Sequence, residues 1–401
     1  MKIAVFGGSF DPVHFGHIEI VQGLVGSDYD KVIVVPTFVS PFKSEDGTTA
    51  NAKHREEMLK LAFMDFLLDQ SKNARTMADF IRAGNLIISD LEVSKKKVSY
   101  TYDTIVALKK EYPGAELDFV IGWDCVPSLD KWKNFDELKK LTNFLVVKRG
   151  QESACDDIFL SLQKKDIGIR IAPFEVSDIS SSYVRVLGAF EKIGEVVPNS
   201  VAGYIKEHEL YQCYRYLAKR HIEAGLAKER TEHSLRVTED AINLAKINGV
   251  RIGDAIVSAL LHDIAKAVTL SEMAESGLLS ADKIEEIDKL PDAVRHAWIG
   301  AWVVEYLMEL SPQIAEAIKF HTTGAPNMSK LAKIIYLSDY IEKGRPLKDL
   351  PEIRKVVYNN LDDGMLVVLG LTLEHLKKTG GQVSELTKEA YDYYLAKQSA
   401  K

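Results

Sequence analysis

Short apolar runs alternate with longer amphipathic stretches through the first half of the chain. Ile3-Ala4-Val5-Phe6, Lys31-Val32-Ile33-Val34-Val35, Leu86-Ile87-Ile88, Leu117-Asp118-Phe119-Val120-Ile121 and Phe144-Leu145-Val146-Val147 read as buried strands. The segments between them are long enough for crossover helices, so the rhythm predicts an α/β fold, a doubly wound parallel sheet with helices on both faces. A sixth run, Gly168-Ile169-Arg170-Ile171-Ala172, predicts a further strand at the sheet edge. Beyond Val197-Pro198 the strands vanish, and amphipathic patterns rich in Ala, Leu, Ile, Lys and Glu predict an all-α second half. The change of texture sets a domain boundary near Cys213, giving domains 1–213 and 214–401 with no Gly/Ser-rich linker between them. The stretch from Asp65 to Gly84 reads as an extra helical excursion before the third strand, to which the sequence assigns no role.

Composition narrows the functional classes. A chain of 401 residues exceeds what one core usually organises, and 46% apolar with 27% charged residues describes a soluble globular protein rather than a disordered one. The formal charge of -7 carries no basic block. That argues against a nucleic-acid polymer as partner, because duplex binding relies on neutralising many phosphates, but leaves small phosphorylated ligands open. Cys125, Cys155 and Cys213 are scattered, which predicts neither a disulfide framework nor a zinc ribbon and fits a reducing compartment. No run reaches the roughly 18 apolar residues of a membrane span, and the opening run is too short for a signal peptide. The expectation is a cytoplasmic protein without a membrane partner.

The first strand runs into Gly7-Gly8-Ser9-Phe10-Asp11-Pro12-Val13-His14-Phe15-Gly16-His17, followed by an apolar helical pattern. Glycines between a strand and a helix let backbone N–H groups approach an anion, and the helix dipole favours phosphate there. His14 and His17, three apart, share one face of the first turn and can aim at the same phosphate. There they would stabilise charge that builds up during in-line displacement. The alternative is that the two imidazoles only cap and pack the turn.

This block resembles the HxGH signature of the nucleotidyltransferase superfamily, and within it the bacterial nicotinate-nucleotide adenylyltransferases. The likeness continues in order through Pro41-Phe42-Lys43, His54-Arg55-Glu56-Glu57-Met58-Leu59, Ser99-Tyr100-Thr101-Tyr102-Asp103-Thr104, Ile121-Gly122-Trp123-Asp124, Leu129-Asp130-Lys131-Trp132, Val147-Lys148-Arg149-Gly150 and Ile179-Ser180-Ser181-Ser182-Tyr183-Val184-Arg185. It implies a Rossmann-like fold and transfer of AMP from ATP to nicotinate mononucleotide, with Mg²⁺ on the phosphates. On that resemblance Gly7, Gly8, Ser9, Phe10, His17, Asp124, Ser180, Ser181 and Arg185 take ATP, with His14, His17, Lys43 and Arg185 acting on the phosphates. Tyr100, Thr101, Trp132 and Arg149 take the mononucleotide. Two departures stand out. Phe42 occupies a position where the family usually has histidine, and Trp123 one that is usually small, where it would narrow or reshape the pocket. Nicotinamide mononucleotide or phosphopantetheine stays open as acceptor.

In the helical half, His233, His262-Asp263, His296, His321 and Asp339 recur in or beside helix patterns. Imidazoles and carboxylates are ligands that iron, manganese or zinc accept, and a bundle core is a usual place to assemble them. A His-Asp pair in the middle of the apolar helix pattern Ala259-Leu260-Leu261-His262-Asp263-Ile264-Ala265-Lys266 is costly to bury without partners. This half resembles the HD superfamily of metal-dependent phosphohydrolases. Its nearest likeness is to the symmetrical diadenosine tetraphosphatases, through Arg230-Thr231-Glu232-His233-Ser234, Leu261-His262-Asp263-Ile264-Ala265-Lys266, His321-Thr322-Thr323-Gly324 and Ser338-Asp339-Tyr340-Ile341-Glu342.

The resemblance implies a dinuclear metal site that splits diadenosine tetraphosphate into two ADP. Iron is the expected metal, with manganese or another divalent cation as alternatives. By the same likeness His233, His262, Asp263 and Asp339 hold one ion, Asp263 is catalytic and bridges to a second held by His296 and His321, and Lys266 and Arg345 steady the polyphosphate. A different nucleotide phosphohydrolase, or a silent domain that senses nucleotides, stays open. So does a homo-oligomer.

Overall fold

Six parallel strands carry the first half of the chain: β1 (Lys2–Gly8), β2 (Lys31–Pro36), β3 (Leu86–Ile88), β4 (Glu116–Gly122), β5 (Asn143–Val147) and β6 (Ile169–Ile171). Their order is β3-β2-β1-β4-β5-β6, with the sixth at an edge as its short run predicts. The chain winds outward from β1 to β3, then returns to lay β4 against the other side of β1. At such a reversal the connections leave in opposite directions, opening a crevice at the carboxyl ends of the two central strands. The computed structural model describes residues 1–38, 50–68, 72–148, 156–163 and 167–399. Pro41, Phe42 and Lys43, with Arg149 and Gly150, lie outside these residues.

Strand alternation sorts the apolar side chains into two layers. Ala4, Phe6, Val32 and Val34 face one layer, closed by helices α1 (Phe15–Val25), α2 (Ala52–Leu68) and α3 (Lys72–Arg82). Ile3, Val5, Ile33 and Val35 face the other, closed by α4 (Thr101–Glu111), α5 (Phe135–Leu141) and α6 (Asp156–Gln163). Helices α7 (Ser181–Ala189) and α8 (Asn199–Glu207) return to the first layer through Val184, Val201 and Ile205. The excursion at 65–84 is thereby accounted for: it spans the end of α2 and all of α3, whose Met77, Phe80 and Ile81 cover the β3 side of the sheet. At the amino ends of the strands the buried Asp118 carboxylate accepts from Tyr29 Oη (2.6 Å), Asn143 Nδ2 (2.9 Å) and Arg170 (2.6 Å), tying β4, β5 and β6 together.

Contacts divide the chain into two units, Met1–Tyr214 and Arg215–Lys401. The described part of the second is helical. It runs through α9 (Arg215–Glu223), α10 (Lys228–Asn248), α11 (Ile252–Leu261), α12 (Leu270–Glu275), α13 (Ala281–Asp288) and α14 (Asp292–Trp302), then α15 (Pro312–Lys319), α16 (Lys330–Ile341), α17 (Leu350–Asn359), α18 (Leu361–Thr379) and α19 (Glu385–Ser399). Helices α10, α11 and α16 pack on one another, with α14 and α15 beside them. None of the described helices is long and apolar enough to cross a membrane.

Candidate functional sites

β1 delivers its two glycines to the central crevice. A side chain on Gly7 would come within 2.9 Å of the Phe119 ring and one on Gly8 within 3.0 Å of Phe10, so only glycine lets the backbone pass here. Phe10 itself takes a left-handed φ of 48° as the chain turns toward α1. His14 is the residue before that helix, in extended conformation, and its ring lies 3.7 Å from that of His17. Both are buried. The backbone N–H of His14 donates to Nδ1 of His17 (3.3 Å). A ring nitrogen that accepts carries no proton, so His17 holds its proton on Nε2, as a donor for an anion.

The loop from Ser9 to Pro12 is fastened to α7. Ser181 Oγ donates to the Pro12 carbonyl (3.1 Å), and the buried Arg185 guanidinium donates to the Asp11 carbonyl (2.7 Å) and to Ser182 Oγ (3.2 Å). Ser180 caps the helix by accepting from the Tyr183 N–H. Three residues to which the sequence analysis gave no role complete the cradle. Arg55 donates to the carbonyls of Ser9 (2.6 Å), Thr37 (2.7 Å), Phe38 (2.9 Å) and Ala50 (3.1 Å). Asp11 Oδ1 accepts from Ala50 N (3.0 Å) and from the buried Tyr211 hydroxyl (2.8 Å). The available signal was the position of Asp11 in the glycine block and of Arg55 in the matched block His54–Leu59.

On the neighbouring strand, Asp124 stands two residues past the carboxyl end of β4 and is exposed. Tyr100 precedes α4 and Thr101 opens it. Lys133 stands 4.4 Å from the Tyr100 ring centre and pairs with Asp103 (2.9 Å), drawing the turn that carries Trp132 toward the start of α4. Trp132 is half-buried, edge-on to Phe119 and Phe144. The expectation that Trp123 narrows the pocket is not what the side chain does: its ring is buried in the apolar layer, tilted against Phe159 at 5.5 Å with the Lys148 ammonium 4.0 Å above it. An indole is too large and too apolar to leave that layer when Phe159 offers a flat partner.

The second cluster is built from five segments of the helical unit. His233 lies on α10, His262 and Asp263 follow α11, His296 lies on α14, His321 follows α15 and Asp339 lies on α16. The sequence places His262-Asp263 in the run of an apolar helix, whereas α11 stops at Leu261 and the pair occupies the turn. His262 Nδ1 bonds the Ala259 carbonyl there (2.7 Å). His321 does the same with the Ile318 carbonyl (2.7 Å), and His233 Nδ1 faces Glu342 Oε1 (3.3 Å).

His262 and His321 therefore donate outward from Nδ1 and turn Nε2 to the centre, while His233 is held between Glu342 and Asp339, whose hydrogen bonds outweigh burial and raise its pKa. There the Nε2 atoms of His233 and His262 lie 3.3 Å apart, and those of His296 and His321 also 3.3 Å. Asp339 Oδ1 is 2.9 Å from His233 Nε2; Asp263 Oδ1 is 3.0 Å from His296 Nε2 and 3.6 Å from His321 Nε2. Imidazole nitrogens and carboxylate oxygens gathered at these distances are positioned to share a cation. The donor set suits a divalent metal. Burial opposes charge on Asp263 and Asp339, yet the surrounding imidazoles outweigh it and hold both carboxyls far below the usual range. Burial also lowers His262 to about 4, which keeps it neutral as a ligand must be.

Cations ring this centre. Arg230 donates to Asp263 Oδ2 (2.7 Å), Arg345 to Asp339 Oδ1 (2.7 Å), and Lys266 Nζ lies 3.2 Å from His296 Nε2. Arg230 and Glu342 carried no assignment from the sequence, although both stand in the matched motifs. Burial raises the Glu342 pKa, but hydrogen bonds from His233 and Arg236 and the Gly344 N–H bring it down to about 2, so it is ionised and orients His233. Glu342→Gln is expected to weaken metal binding about tenfold, the size of loss usual when a carboxylate behind a ligand histidine is removed. Metal titration followed by calorimetry measures this, and unchanged affinity would refute the orienting role.

With both geometries in view, the chain can be compared with known proteins. A family model described as cytidylyltransferase-like matches residues 5–187, and a model of the HD domain matches residues 230–344. A protein of Hydrogenobaculum sp. (strain Y04AAS1), named probable nicotinate-nucleotide adenylyltransferase, is 36% identical over 53% of this chain and 98% of its own length. One from Mycoplasma genitalium, named probable nicotinate-nucleotide adenylyltransferase/Ap4A hydrolase, is 27% identical over 92% of this chain and 97% of its own. A solved structure titled a predicted HD superfamily hydrolase involved in NAD metabolism, from Clostridium acetobutylicum, is 30% identical over 46% of this chain and 97% of its own, with a TM-score of 0.41.

Proposed function

This chain belongs to the nicotinate-nucleotide adenylyltransferase family and carries an HD domain, and from that premise we propose a bifunctional enzyme. Domain 1–213 transfers AMP from ATP to nicotinate mononucleotide, a step of NAD biosynthesis, and domain 214–401 hydrolyses diadenosine tetraphosphate to two ADP, both in the cytoplasm. The first reading is carried by the fastening of α7 to the β1–α1 loop. Because Ser181 bonds Pro12 and Arg185 bonds Asp11, the N-terminus of α7 and the His14–His17 turn face a common anion position. A mononucleotide phosphate oxygen attacks the α-phosphorus of ATP, its bond to pyrophosphate breaks, and His17 Nε2–H donates to the charge that accumulates. Ser180, Ser181 and Arg185 hold the departing phosphates, with Lys43 joining them; Mg²⁺, when bound, would neutralise part of their charge. Asp124 accepts from the adenosine ribose, while Tyr100, Thr101, Trp132 and Arg149 receive the pyridine mononucleotide.

The second reading is supported by the convergence of imidazole nitrogens and two carboxylates on one centre. His233, His262, Asp263 and Asp339 would hold one divalent ion, and Asp263 with His296 and His321 a second, with iron or manganese the expected metals. When bound, the pair supplies an acidified water and neutralises charge on the phosphoanhydride. Arg230, Lys266 and Arg345 hold the flanking phosphates. Purified protein given ATP and nicotinate mononucleotide should yield nicotinate adenine dinucleotide and pyrophosphate. Given diadenosine tetraphosphate and defined metals, it should yield ADP alone. Chromatography reads both; failure to form either product from its substrate overturns that half. Binding of the tetraphosphate without ADP release would instead identify a sensor domain.

A further inference from the structure

Helix α1 bears His17 on its first turn, with His14 just before it, yet the residues proposed to receive the ATP phosphates belong to α7, far along the chain. Their separation depends on how the segment entering α7 is seated. Gly16, Glu19 and Gly23 recur at i, i+3 and i+7, which is one face of α1, and residues 174–177 lie along that face. Glu19 Oε2 accepts from the Ser177 N–H (2.6 Å) and Oε1 from the Ser177 hydroxyl (2.7 Å). A side chain on Gly16 would come within 3.3 Å of the Ser177 carbonyl, and one on Gly23 would overlap the Phe174 ring at 2.5 Å. The segment is therefore bonded through Ser177 to the helix that carries His17 and lies close against it at Gly16 and Gly23. The Ser177 carbonyl then accepts from the Ile179 N–H (2.9 Å), and this tight turn leads directly to Ser180 at the cap of α7.

We infer that Glu19 is a positioning residue for adenylyl transfer, setting through Ser177 the distance between the His17 turn and the phosphate-receiving end of α7. The inference rests on the adenylyltransferase reading. It assigns Glu19 to the ATP side alone, because the mononucleotide residues Tyr100, Thr101 and Trp132 stand on α4 and the turn after β4, which Glu19 does not touch. Neither carboxylate oxygen needs to meet substrate for this. A seat displaced by a fraction of an ångström takes the hydroxyls and guanidinium out of register with the imidazoles.

The test uses the full chain and initial-rate kinetics. Glu19→Ala is expected to raise KM for ATP about tenfold, in keeping with the penalty of misplacing catalytic groups by less than an ångström. KM for nicotinate mononucleotide and the rate of diadenosine tetraphosphate hydrolysis should be unchanged. Glu19→Gln should recover most of the loss, since its amide oxygen can accept from the Ser177 N–H while its NH₂ donates to the hydroxyl. Ser177→Ala removes one of the two bonds at little risk to folding and should shift KM for ATP in the same direction by less. A fall in thermal stability with kcat and KM for ATP both unmoved in the two variants would show Glu19 to be an ordinary structural clamp and overturn the inference. Absence of dinucleotide synthesis by the unaltered protein would instead remove the adenylyltransferase reading itself.

Discussion

His17→Ala is expected to lower dinucleotide synthesis about 10²–10³-fold, the loss found when one preorganised donor is removed from a site of developing negative charge. The size follows from geometry. The His14 N–H donates to His17 Nδ1, which commits the proton to Nε2 and fixes the ring before substrate arrives, so no reorganisation precedes the reaction. The ring also packs edge-on against Phe10 at 5.0 Å, which holds its plane. Loss of the imidazole leaves the Gly7-Gly8 turn and the α7 cap in place, so ATP should still bind and the defect should fall on kcat. Steady-state rates with ATP and nicotinate mononucleotide would measure it, alongside hydrolysis of diadenosine tetraphosphate as an internal control. Turnover within about threefold of the unaltered enzyme, a difference of under 1 kcal/mol, would exclude His17 from the chemistry.

Asp263→Ala is expected to reduce tetraphosphate hydrolysis by about 10³-fold or more, since metal-ion catalysis contributes several kcal/mol and each 1.4 kcal/mol is a factor of ten. Asp263 is the side chain on which the second cluster converges: His296 and His321 approach Oδ1, while His262 and Arg230 approach Oδ2. No other carboxylate among the described residues meets all three of those histidines. Its removal should strip metal from the protein, seen by elemental analysis, and leave dinucleotide synthesis intact. Full metal content with full hydrolysis would defeat the assignment of this cluster; loss of both activities would mean that the two sites are coupled or that the variant misfolds.

The strands were legible because a parallel sheet covered on both faces demands continuous apolar runs, and few other structures produce five of them with helical spacing between. The two motif clusters were legible for a related reason. Glycine pairs at a strand end and histidines beside aspartate in apolar surroundings are costly unless something in the fold uses them. Arg55, Asp11, Glu19 and Glu342 were not legible as site residues. Arg55 bonds four backbone carbonyls, Glu19 a segment 158 positions away, and Glu342 a histidine 109 positions away. A charged residue in an amphipathic helix looks the same whether it meets water or a distant loop. Trp123 erred in the opposite direction: its size suggested the pocket, while the apolar layer claimed it.

From the sequence by itself came the element types, the approximate change from sheet to helices, and the residue kinds able to bind phosphate or metal, because hydrophobic periodicity and local turn chemistry are properties of neighbours. Only the tertiary structure decided that the chain doubles back to set β4 beside β1, that α7 is fastened to the loop before α1, and which partners the Nδ1 atoms of His17, His262 and His321 meet. The first two depend on atoms brought together from remote parts of the chain, where a hydrogen-bond partner exists only once the packing has delivered it.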